Sequence, residues 1–82
     1  MVNYEANRWK SARWKKNTRY YHCDLKQDLF GNWIVQKHWG DNRSKRGRSM
    51  ECCCENFEAA EKLFQQVIKR RKYRKYQLVD EY

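Results

Sequence analysis

Hydrophobic and polar residues alternate in three stretches of the chain. In TRYYHCDLK, residues 18–26, Tyr21, Cys23 and Leu25 alternate with His22, Asp24 and Lys26. A period of two marks a strand with one buried face, so the first set is expected to face a core. The same period runs through WIVQKHW, residues 33–39, where Trp33, Val35, Lys37 and Trp39 share one face and Ile34, Gln36 and His38 the other. RSMECCCE, residues 48–55, predicts a third strand with Met50, Cys52 and Cys54 on one face and Ser49, Glu51 and Cys53 on the other. A single bulge would exchange those faces. Between the first two strands, QDLFGNW predicts a turn around Gly31 and Asn32, both tolerant of positive φ, with Leu29 and Phe30 closing one end of the core.

The period then lengthens. Phe57, Ala60, Leu63, Phe64, Val67 and Ile68 recur every three or four residues, which predicts a helix over residues 56–73 with one apolar stripe. Asn56 suits the N-cap, Glu58 and Glu61 the positive end of the helix dipole, and Lys69, Arg70, Arg71 and Lys72 its negative end. YQLV, residues 76–79, reads as a short last strand. Residues 1–17, MVNYEANRWKSARWKKN, are basic without a sustained apolar face, and Trp9 and Trp14 stand five apart, which fits neither a strand face nor a helix stripe. They are expected to form a loosely ordered basic arm, followed by one domain over residues 18–79 and a polar end at 80–82. The fold class is α+β: a small antiparallel sheet of three to four strands covered on one face by one C-terminal helix.

At 82 residues the chain holds one domain, and its net charge of +9 points to a polyanionic partner, nucleic acid before anionic membrane. No apolar run approaches the roughly 18 residues of a membrane span, and the N-terminus has no apolar signal region, so a cytoplasmic protein is expected. Cys23, Cys52, Cys53 and Cys54 include no CxxC pair, and consecutive strand residues point to opposite faces. Reduced, structural cysteines and no metal site are therefore expected. No cofactor motif and no pairing of a nucleophile with histidine at a recognisable spacing is present, which predicts a non-catalytic protein.

Cations gather in three clusters, Arg8 to Lys16, Arg43 to Arg48 and Lys69 to Lys75. The loop GDNRSKRG is bracketed by Gly40 and Gly47, read as its hinges, and sits directly after Trp39. Candidate nucleic-acid contacts are Trp39, Gly40, Arg43, Lys45, Arg46 and Arg48 from this region, with Lys69, Arg70, Lys72 and Arg74 from the helix end. Trp39 can be read as a core ring at a strand end or as a ring that caps a nucleic-acid terminus. Engaging about 4 to 6 phosphates would make log K fall against log salt with a slope of about −4 to −5 on duplex DNA. Lysine and arginine hold phosphates without reading sequence, so little sequence specificity is expected.

The chain resembles the WGR domain, the small module of poly(ADP-ribose) polymerases and many bacterial proteins. The resemblance spans residues 18–79 and rests on RYYHCDL, DLFGNW, HWG, the basic SKRGR loop and the segment ENFEAAEKLFQQVIKRRKYRKY. Asp41 stands where the family's signature has arginine, and Lys75 where it has glycine. The resemblance implies a stand-alone, non-catalytic module that binds DNA in preference to RNA, with the signature tryptophan at a break end. A compact chain of this kind is expected of a bacterial or phage accessory protein. A single-strand DNA or RNA binder using the same surface, and an adaptor for an acidic protein, are the alternatives.

Overall fold

A computed structural model describes residues 4–81. A single turn of 3-10 helix at Ala6–Arg8 leads into β1 (Lys10–Lys16), β2 (Arg19–Gln27), β3 (Trp33–Asp41) and β4 (Gly47–Cys54). The helix α1 (Phe57–Tyr73) and β5 (Gln77–Glu81) follow. The strands form one sheet in the order β4-β3-β2-β1-β5, and every neighbouring pair is antiparallel. The α+β class with one helix on one face is as expected, but the sheet has five strands rather than three to four.

The additional strand is β1, in the stretch expected to be a loose arm. Ala12 and Trp14 alternate inward and are buried, while the outer inward-facing positions are Lys10 and Lys16. Their ammonium groups reach the rim of the core, where Lys10 pairs with Glu61 at 3.1 Å and Lys16 donates to the Arg74 carbonyl at 2.9 Å. Long aliphatic stems with charged tips can line a buried face in this way, so the strand shows no continuous apolar rhythm. Asn17, at φ 57, opens the two-residue turn into β2. Upstream, buried Gln27 accepts from the Glu5 amide at 2.6 Å and the Trp9 indole at 3.2 Å, and donates to the Gly31 carbonyl at 3.1 Å. These bonds tie residues 5 and 9 to the end of β2. Residues 1–3 of the expected arm, and Tyr82 of the expected polar end, lie outside the described residues.

The faces of β2, β3 and β4 follow the alternation. Tyr21, Cys23, Leu25, Trp33 and Val35 pack with Ala12 and Trp14 against Ala60, Phe64 and Val67 of the helix. The register Val35↔Cys52 and Trp33↔Cys54 leaves β4 without a bulge, so Cys52 and Cys54 face the helix and Cys53 faces away. Burial pushes the Cys23 thiol up to about 12. Asn56 caps the helix by accepting from the Ala59 amide at 2.8 Å. None of the described helices is long and apolar enough to cross a membrane.

Leu29 and Phe30 do not close the core; they are 85% and 80% exposed. The Asp28 carboxylate accepts from the amides of Phe30 and Asn32 at 2.9 Å each, and Gly31, at φ 82, donates to the Asp28 carbonyl at 3.0 Å. The resulting tight turn carries both apolar residues outward at its tip. Ile34 is buried at 2% exposure on the face away from the helix, beside Tyr4, Trp9 and Leu29.

Candidate nucleic-acid interface

The helix packs over β2, β3 and β4 and ends near Trp39. Trp39 lies on the helix side of β3, half-buried against the edge of the core. Its ring stacks on Tyr21 with centroids 5.8 Å apart and planes 15° from parallel. Tyr21 in turn meets Trp14 and Tyr76 edge-on, at 5.9 and 6.4 Å. The signature tryptophan is therefore both a core residue and a surface residue: one ring backs it, and the rest borders two hollows.

The first hollow runs between the helix end and β3–β4. Tyr21, Trp39 and Tyr76 supply its rings, and Lys37, Arg70, Arg71 and Arg74 its cations. The Arg71 guanidinium lies 4.2 Å from the Tyr21 centroid and 5.0 Å from that of Tyr76. Its Nε is buried and makes no hydrogen bond. A guanidinium is weakly hydrated and attracted to ring faces, which offsets part of the cost of burying it. Burial raises the Tyr21 hydroxyl pKa, against the opposing pull of Arg71.

The second hollow lies on the other side of Trp39, with Arg19, Arg46 and Arg48 along it and Asp41 at its end. Trp39 and Tyr76 border both hollows, so the two rings form a ridge with cations on either side. Arg48 is the ladder partner of Trp39, which places a strand cation beside the ring.

Asp41 does not stand free in this field. The Arg43 side chain folds back on it, with Nε 3.2 Å from Oδ1 and Nη2 3.0 Å from Oδ2. The Arg43 amide donates to Oδ1 at 2.9 Å and the Thr18 hydroxyl to Oδ2 at 3.1 Å. The Arg43 side-chain and backbone hydrogen bonds hold the Asp41 carboxyl far below the usual carboxylate range. Where the signature of the family that the chain resembles has arginine, this chain has an internally neutralised pair.

Of the candidate residues, Trp39, Gly40, Arg46, Arg48, Arg70 and Arg74 converge on the two hollows. Arg43 is committed to Asp41, and Lys45, Lys69 and Lys72 are exposed outside the hollows. Gly40 and Gly47 are not loop hinges: they face each other as ladder partners within β3 and β4. Arg19, Lys37, Arg71, Tyr21 and Tyr76 join the site without having been singled out for it. Lys37 carried a signal, since it alternates onto the face of Trp39. The placement of Tyr76 depends on the path of the chain after the helix, which no local pattern reveals.

The family model for the WGR domain matches residues 6–82. The chain belongs to the WGR domain family. The match begins before β1. The WGR domain is in general a nucleic-acid-binding family. No curated protein and no solved structure matches this WGR domain.

Proposed function

We propose that this WGR domain is a non-catalytic DNA-binding module that prefers ends, nicks and other places where a base or sugar is exposed. The observation that supports this reading is the Trp39 ridge, a ring stacked on Tyr21 between two cation-lined hollows. A ring held from behind suits stacking on a terminal base or sugar, which contributes on the order of 1–3 kcal/mol per base. Arg46 and Arg48 on one side and Lys37, Arg70 and Arg74 on the other suit the flanking phosphates. The cations of the helix gather in its last turn, beside the Trp39 ridge, which suits phosphate contact there better than base reading along a major groove. DNA is favoured over RNA, and sequence preference is weak.

The test compares blunt duplex, nicked duplex, closed circular duplex, single-stranded DNA and single-stranded RNA across a salt series. Broken duplex should bind more tightly than closed circles, with a salt slope of about −4 to −5. Equal affinity per nucleotide for closed and broken duplex would overturn the preference for ends. Binding that is absent or insensitive to salt would favour an acidic protein partner for the same surface.

A further inference from the structure

The sheet face opposite the helix carries a second group of rings. Tyr20 and His22 on β2 and His38 on β3 form a triangle with centroids 5.3, 5.6 and 6.2 Å apart. The Tyr20 hydroxyl lies 3.3 Å from His38 Nε2. The strands are glycine where this ring lies: a Cβ on Gly40 or Gly47 would fall 2.6 or 2.9 Å from the Tyr20 oxygen. His38 is exposed, and Tyr20 and His22 are half-buried. Among the described residues no helix covers them.

Arg13 and Lys15 of β1, with Asn42 and Val79, border the hollow beside these rings. Among the described residues neither cation makes an ion pair. Asp80 on β5 is Arg13's ladder partner. Asp24 and Glu51 lie in the next row of the same face, with Gln36 between them. The cationic part of the face is thus the end holding Arg13, Lys15, Tyr20 and His38. Burial, then Arg13 and His38, hold His22 below the usual imidazole range, with Asp24 pulling the other way.

We infer that this open face is a second nucleic-acid site, one that takes single strands by stacking bases on Tyr20, His22 and His38 while Arg13 and Lys15 hold phosphates. Paired bases keep their faces inside the duplex stack, whereas an unpaired base offers a π-face to any accessible ring. Charge selects the same occupant, because bare cations beside rings match a flexible polyanion. His22, His38, Arg13 and Lys15 lie on the other face of the sheet from the Trp39 stack, with Tyr20 also bordering the second hollow beside it, so the site extends the proposed duplex-end contact rather than restating it.

The whole chain is titrated by NMR with an oligothymidylate, an oligouridylate and a blunt DNA hairpin. Both single strands should shift the ring resonances of His22 and His38, since stacking and phosphate contact ignore the sugar. The double variant H22S/H38S should lose about tenfold in single-strand affinity and keep its hairpin affinity. The chain has 2 histidines and both stand on this face. Shifts confined to Trp39 and its neighbours, or unchanged single-strand affinity in a folded double variant, would overturn the assignment. The wild-type titration needs no variant, so misfolding of H22S/H38S does not block the test. Absence of hairpin binding would count against the duplex-end proposal alone, because the single strands are titrated separately.

Discussion

The Tyr20 ring lies across Gly40, with its hydroxyl oxygen 2.6 Å from where a Cβ on that glycine would start. The glycine of the family signature is thus the seat of an aromatic ring. It shows no positive φ, so the requirement is for space and not for backbone freedom. Gly40→Ala should force Tyr20 off its rotamer and destabilise the fold by about 1–3 kcal/mol. In a Tyr20→Ala background the same change should become neutral or stabilising, because alanine loses less backbone entropy than glycine. A double-mutant cycle by urea unfolding reads the coupling. An equal cost in both backgrounds would show that the ring is not the reason for the glycine.

The helix ends in a left-handed residue that is not glycine. Lys75 has φ 62, its amide bonds the Lys72 carbonyl and the Tyr76 amide bonds the Arg71 carbonyl, the pattern of a Schellman cap. Lys75→Gly should stabilise the protein by about 1 kcal/mol, because only glycine adopts this conformation without a Cβ penalty. The urea midpoint should rise with an unchanged m-value.

Asp41 and Arg43 predict both a pH effect and a binding effect. A carboxyl whose folded pKa is depressed adds stability that is fully present above its unfolded value of about 3.9 and is lost as pH falls towards the folded value. The Tm difference between wild type and Asp41→Asn should therefore be constant from about pH 5 to 8 and shrink below about pH 4. The substitution also releases Arg43 beside the second hollow. Duplex affinity should rise at low salt, with a slope steeper by about 0.9 for one more phosphate contact. An unchanged slope would show that Arg43 does not reach the DNA even when free.

Arg70→Ser and Arg74→Ser should each weaken hairpin binding by a similar factor for every sequence and reduce the salt slope by about 0.9. Arg13→Ser, on the far side of the sheet, should leave hairpin binding as it is. Loss of hairpin affinity in Arg13→Ser, matching that of Arg70→Ser, would move the duplex contact to the other face.

Most of the helix and β2 were legible because each buries one face in a regular period, while β3 and β4 were legible from alternation alone, since β3 also buries Ile34 on its other face and β4 is largely exposed. Phe64, Leu25 and Val35, all fully buried, stand where alternation and the helix stripe place them. β1 was not legible: its inward positions read Lys, Ala, Trp and Lys, and the lysine stems conceal the period. Asn17 at the turn into β2 was the missed local signal. The outward turn at Leu29 and Phe30 was hidden for another reason, since the hydrogen bonds of Asp28 decide it and hydrophobicity alone points the wrong way. At the site, the loop cations and Trp39 could be read from composition and spacing. The contact of Arg71 with Tyr21 and Tyr76 could not, because it joins a helix, a strand and a post-helix residue.

The pairing of β5 with β1 has a consequence for how the protein is made. Residues 77–81 dock beside residues 12–15, so the outer edge of β1 stays bare while the intervening chain is synthesised. Until then an emerging chain presents a basic strand edge open to any extended peptide, or to the same strand of a neighbouring nascent chain. Lys15 and Lys16 near that edge would repel a second copy, and the edge of β1 is covered only when β5 leaves the ribosome and becomes the outer strand itself.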